Sequence, residues 1–87
     1  MKYLIMCKSL TNAQRAALAL ERRGVSAVVV KAPHSLRANG CGYALSLYRR
    51  LPEAAEILKA EGLLTGRIYL RLEDGSYREA NRDDLSR

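Results

Sequence analysis

A chain of 87 residues makes one domain, read here as residues 1–80 with a polar tail over 81–87, and a fold of this size buries about 60–65% of its unfolded surface. A make-up of 48% apolar and 28% charged residues excludes a disordered chain, while apolar runs of four to five residues, such as Tyr3–Cys7 and Ala27–Val30, exclude a membrane span or secretory leader and predict a soluble, cytoplasmic protein. Two cysteines and one histidine without paired spacing exclude a zinc site or a disulfide framework, so what remains to be explained is two thiols and a net charge of +6.

Lys2–Cys7 (KYLIMC) reads as a buried opening strand. Thr11 and Gln14 have the spacing of a capping box, and Ala13, Ala16, Ala17 and Leu20 follow at helical intervals, with Gly24 closing the helix. Val25–Lys31 is a second strand, stopped by Pro33, and His34–Gly42 has turn composition without a period. Tyr43–Tyr48 is a third strand. Pro52 opens a second helix with Ala54, Ala55 and Leu58 inward and Glu53, Glu56 and Lys59 outward, and Gly62 ends it. Arg67–Leu72 is a fourth strand. Asp74-Gly75 marks a two-residue hairpin that returns Ser76–Ala80 as a short fifth strand.

The order β-α-β-β-α-β predicts an α+β protein: a ferredoxin-like two-layer sandwich with a C-terminal β-hairpin extension. That topology pairs the first strand antiparallel with the third. It sets Cys7 beside the start of the third strand, just after Cys41, with the first helix beginning at the same end of the sheet. The apolar residues on the other strand phase (Leu4, Met6, Val28 and Val30) predict a second sheet face that is also covered.

Cys41 is the foremost candidate for chemistry. Gly40 and Gly42 flank it, leaving a sulfur unshielded and open to close backbone approach. A reactive thiol needs access and a lowered pKa, and the helix start at Thr11 and Asn12, with Lys8 and Arg37, would supply the latter. The competing reading is a small apolar residue at a strand entrance. Cys7 shares a strand phase with Tyr3 and Ile5, which packing explains; its functional reading is a resolving thiol that releases cargo through an intramolecular disulfide. His34 has two readings, a proton donor near the loop or an exposed bystander. No cofactor is implied.

The basic residues run through Lys8, Arg15, Arg22, Arg23, Lys31, Arg37, Arg49, Arg50, Arg67 and Arg71, with acids concentrated later. They suit a solvated surface or an acidic partner. RNA-recognition motifs share the strand order, but Asn39–Ser46 (NGCGYALS) carries their glycines and one aromatic only. Cys41 and Ser46 stand where stacking rings are needed, so a nucleic-acid platform is largely missing.

The MKYLI opening, the SLTNAQRAALAL entry to an Ala-rich helix, Gly24-Val25, Pro33 and above all Cys41-Gly42 before an apolar strand resemble the selenium/sulfur carrier protein-like family of small bacterial proteins. The likeness runs from Met1 to about Leu72 and leaves the Asp74-Gly75 extension outside it. The loop from Pro33 to Cys41 is about one residue longer than the family pattern, and Gly40 stands where a polar residue is usual. The resemblance implies that Cys41 carries sulfur or selenium, with Gly42 as its motif partner and Pro33 shaping the loop. A carrier protein, rather than a stand-alone enzyme, would hold the chalcogen as a persulfide or selenopersulfide. Its partners would be donor and acceptor proteins, acidic ones among them. The second expectation is a small dimeric binding or regulatory module in which Cys41 is structural, and the third a nucleic-acid-binding domain.

Overall fold

Six residues at the start of the chain, Lys2–Cys7, form β1, and they do so because long, aromatic and branched side chains fill both of its faces. A computed structural model describes residues 2–36, 42–64 and 66–80. After β1 come α1 (Leu10–Arg22), β2 (Val28–Lys31), a 3₁₀ turn (His34–Leu36), β3 (Tyr43–Leu47), α2 (Leu51–Ala60), β4 (Ile68–Arg71) and β5 (Tyr77–Glu79). The protein is thus mixed α+β, and its described residues form two α-helices and one antiparallel five-stranded sheet in the order β2-β3-β1-β4-β5. This arrangement is compatible with a two-layer sandwich.

Register follows the alternation of the strands. Tyr3, Ile5 and Cys7 of β1 oppose Leu47, Leu45 and Tyr43 of β3, so their shared phase forms one face. That face, with Val29, Ile68 and Leu70, meets Ala13, Ala16 and Leu20 of α1 and Ala54, Ala55 and Leu58 of α2 in the main core. Alanines at the helix contacts let the helices sit close to the sheet. On α1 the buried set is Asn12, Ala13, Ala16, Ala19 and Leu20, so Ala19 goes deeper than the expected Ala17, which is half-buried.

Several boundaries differ from the sequence reading, each for a local reason. The cap of α1 is Ser9, not Thr11: Ser9 is extended and its Oγ accepts the Asn12 N–H at 3.0 Å, which draws Thr11 and Gln14 inside the helix. β2 begins at Val28 because Val25 is held by the end of α1. Gly24, at φ +79°, donates to the Glu21 carbonyl, and the Val25 N–H reaches the Leu20 carbonyl at 2.9 Å. This is a Schellman ending with Val25 packed into the core beside Leu20. α2 starts one residue before Pro52, at Leu51.

Between β4 and β5 the bonded pair Leu72 and Ser76 encloses a three-residue loop, Glu73, Asp74 and Gly75, rather than a two-residue turn. Leu72 donates to the Ser76 carbonyl, Gly75 donates back to Leu72, and Gly75 takes the left-handed conformation at φ +88°. Asp74 closes this loop from its side chain, accepting the Ser76 N–H at 2.9 Å and the Ser76 hydroxyl at 2.6 Å. Those two bonds hold the Asp74 carboxyl below its usual pKa.

The second sheet face is closed at its centre by the chain itself. Leu4 is 1% exposed and Met6 8%, with Ala32 and Ala44 beside them, and Val30, Leu36, Tyr69 and Tyr77 pack around this small core. Val28 does not join it: placed at the sheet edge, it is 62% exposed. No helix among the described residues is long and apolar enough to cross a membrane.

Candidate functional site at the Cys7–Gly42 end of the sheet

The end of β1, the start of α1, the end of β2 and the start of β3 meet at one edge of the molecule. Lys31, Tyr43 and Cys7 stand in one row across β2, β3 and β1. Adjacent strands lie about 4.8 Å apart, so this row spans roughly 10 Å. Gly42 adjoins it, and its carbonyl accepts the Ala32 N–H at 2.7 Å. That bond extends the β2–β3 ladder by one step and fixes where Gly42 enters the sheet.

Cys7 belongs to the interior. It is 3% exposed among Ile5, Ala13 and Tyr43, and its Sγ–H donates to the Ile5 carbonyl at 3.5 Å. Two residues later Ser9 caps α1, whose first turn contains no acidic residue. Lys8 and Thr11 are exposed at this end, while Asn12 is buried at the third helical position and its backbone N–H is held by Ser9. A helix N-terminus without carboxylates favours negative charge nearby. His34 is exposed in the 3₁₀ turn, whose Leu36 N–H donates to the Pro33 carbonyl at 2.9 Å. Cys41, Gly40 and Arg37 lie outside the described residues, as does the tail over 81–87.

Two residues that the sequence reading passed over support this edge. Ser9 is the cap. Gly66 faces β1 so closely that a Cβ on it would lie 2.3 Å from the Met6 carbonyl oxygen. Beside it the Met6 N–H donates to the Arg67 carbonyl at 2.9 Å, and Arg67 pairs with Glu79 at 3.3 Å. A glycine preceding a short strand is a weak signal by itself. Only the register of β4 against β1 reveals why it is required.

At the opposite edge Arg50 ties the two helices together. Its guanidinium donates to the Gly24 carbonyl at 2.6 Å and pairs with both Glu53 carboxylate oxygens, at 3.2 and 2.6 Å. This pairing lowers the Glu53 pKa and raises that of Arg50. An open hollow along α2, lined by Arg23, Glu53, Glu56, Ile57, Lys59 and Ala60, is too exposed for an enclosed substrate site. Among the described residues no group of His, Cys, Asp or Glu is placed to hold a metal ion.

Gly42 enters β3 at this edge, and the row it adjoins ends at Cys7, two residues before the Ser9 cap of α1. The family model described as "Putative Se/S carrier protein-like" matches residues 2–70, from β1 through most of β4. The chain belongs to that family, which bears out the resemblance read from its motifs. No curated protein and no solved structure matches the chain.

Proposed function

We propose that the protein is a cytoplasmic carrier of sulfur or selenium that holds its cargo on Cys41, within a ferredoxin-like fold. The strand order and the antiparallel pairing of β1 with both β3 and β4 support that fold assignment. The observation that carries the functional reading is the burial of the other thiol. The chain has two cysteines, and Cys7 is 3% exposed in the helix-facing core, so a protein donor has no approach to its sulfur in the folded state. The family match and the burial of Cys7 support Cys41, the residue before Gly42, as the carrier thiol.

In the transfer step the Cys41 thiolate attacks the outer sulfur of a donor persulfide. A bond forms between the two sulfurs, the donor's own S–S bond breaks, and the donor cysteine leaves as a thiolate with the electron pair. A second attack by an acceptor thiolate on the outer sulfur returns Cys41 to a thiolate. No external oxidant or reductant enters either step. Selenium on a donor cysteine follows the same exchange.

The test is intact-protein mass spectrometry after incubation with a persulfide-bearing cysteine desulfurase. Wild type and Cys7→Ala gain one sulfur atom, and Cys41→Ala gains none. Equal loading of Cys41→Ala and wild type overturns the proposal.

A further inference from the structure

The charge of this chain is divided very unevenly along its length. Residues 1–52 hold nine of the fifteen Lys and Arg residues but one of the nine acids, Glu21. Residues 53–87 hold six cations and the other eight acids. The fold converts this division into a surface. β1, α1, β2 and β3 all come from the acid-poor part, and at their meeting edge Lys8 follows the end of β1, Lys31 ends β2 and His34 lies just beyond it, all exposed near Gly42, while Arg15 is exposed farther along α1. Glu21 sits near the far end of α1, eleven residues beyond Leu10 and so roughly 16 Å away along the axis. The other described acids belong to α2 and its exit or to the β4–β5 hairpin, and two of them, Glu53 and Glu79, are paired with Arg50 and Arg67.

We infer that this edge, with Lys8 at the end of β1 and Lys31 at the end of β2, is a docking surface for an acidic patch on the protein that exchanges sulfur or selenium with Cys41. The inference rests on the carrier reading, since it names the partner's chemistry at that same site. Cations without neighbouring carboxylates focus potential outward and speed the encounter with an acidic partner. A nucleic acid is a poorer fit because it needs exposed rings on which bases stack. The chain has no Phe or Trp, Tyr43 packs against the main core, and Tyr69 and Tyr77 pack on the second face. Tyr48 is exposed, but beyond the other end of β3.

The test uses two short peptides, each with one cysteine activated as a mixed disulfide with 5-thio-2-nitrobenzoate. One carries four glutamates around that cysteine and the other four serines. The Cys41 thiolate attacks the peptide sulfur, a new S–S bond forms, and thionitrobenzoate leaves and is read by its absorbance, with Cys41→Ala as the blank. The acidic peptide reacts on the order of tenfold faster at low salt, and this ratio falls toward one at about 0.5 M NaCl. The Lys8→Gln/Lys31→Gln variant loses most of the advantage, whereas Arg22→Gln, at the far end of α1, keeps it. Equal rates for the two peptides, or equal damage from Arg22→Gln, overturn the docking surface and leave the carrier reading standing. Stronger competition by a short mixed RNA than by polyglutamate of the same charge reassigns the surface to nucleic acid and overturns it as well. A Cys41 inert to both peptides overturns the carrier reading, and the docking surface with it.

Discussion

Cys7 and Gly66 show how single residues are constrained around the thiol motif. Cys7 fills core volume beneath Tyr43 and Ala13, so its truncation removes packing and leaves the entrance of β3 intact. Cys7→Ala is expected to cost about 1 kcal/mol of stability, read by urea unfolding, with unchanged loading of Cys41. Gly66 has the opposite problem. Any Cβ there meets the backbone of Met6, which cannot swing aside as a flexible side chain can. Gly66→Ala should therefore cost about 2 kcal/mol or more and loosen the β1–β4 ladder beside Cys7, visible as faster amide exchange at Met6. Arg50 is strained in another way, at φ +64° without being glycine. Arg50→Ala loses the bonds to Gly24 and Glu53 and keeps the strain, whereas Arg50→Gly loses the bonds and relieves it. The glycine variant is expected to melt at the higher temperature of the two.

At the scale of elements, the helix ends were written most plainly in the sequence. Gly24-Val25 and Gly62-Leu63 close α1 and α2 by the same device. Each glycine is left-handed, and the N–H of the apolar residue after it returns to a leucine carbonyl, Leu20 in one helix and Leu58 in the other. The strand phases were equally legible, because alternation alone puts Tyr3, Ile5 and Cys7 on the helix side. The beginning of α1 was not. Ser9, Thr11 and Gln14 offer competing caps within a few residues, and the extended backbone at Ser9 decides between them. Ser9→Ala should destabilise the protein by about 1 kcal/mol, while Thr11→Ala, at an exposed helical position, should fall within about 0.5 kcal/mol of wild type. The hairpin depends on a charge. The Ser76 hydroxyl and backbone N–H both donate to the Asp74 carboxylate, so folding lowers its pKa. A lowered folded-state pKa gives a contribution that is present above the usual carboxylate range and is lost as pH falls through the lowered value. An NMR titration should place the Asp74 midpoint below that range, and Ser76→Ala should raise it.

For the whole molecule, what sequence order conveys is connectivity, and what it hides is closure. The β-α-β-β-α-β reading gave the antiparallel pairing of the first strand with the third, and the motifs along the chain gave a family resemblance that the family match bears out. It did not give the means by which the second sheet face is covered. Leu4 and Met6 are buried there by side chains from β2, the 3₁₀ turn, β4 and β5, with no second layer of helices among the described residues. A face whose centre is already closed offers a second copy little apolar area, and two copies each bearing +6 repel one another. Light scattering is therefore expected to return the monomer mass of 9.7 kDa at low salt. The same charge acts within one chain. With nine cations and one acid in residues 1–52, repulsion inside β1, α1, β2 and β3 exceeds what the acids of α2 and the hairpin offset. Salt screens this repulsion over about 10 Å at 0.1 M, so thermal stability should rise as NaCl is added from low ionic strength. The surface pairs Arg50–Glu53 and Arg67–Glu79 push the other way, since screening weakens them, but each is exposed and worth little. A melting temperature that falls with added salt would mean that those pairs outweigh the repulsion of the first 52 residues. In that case neutralising Lys8 and Lys31 should leave stability unchanged instead of raising it.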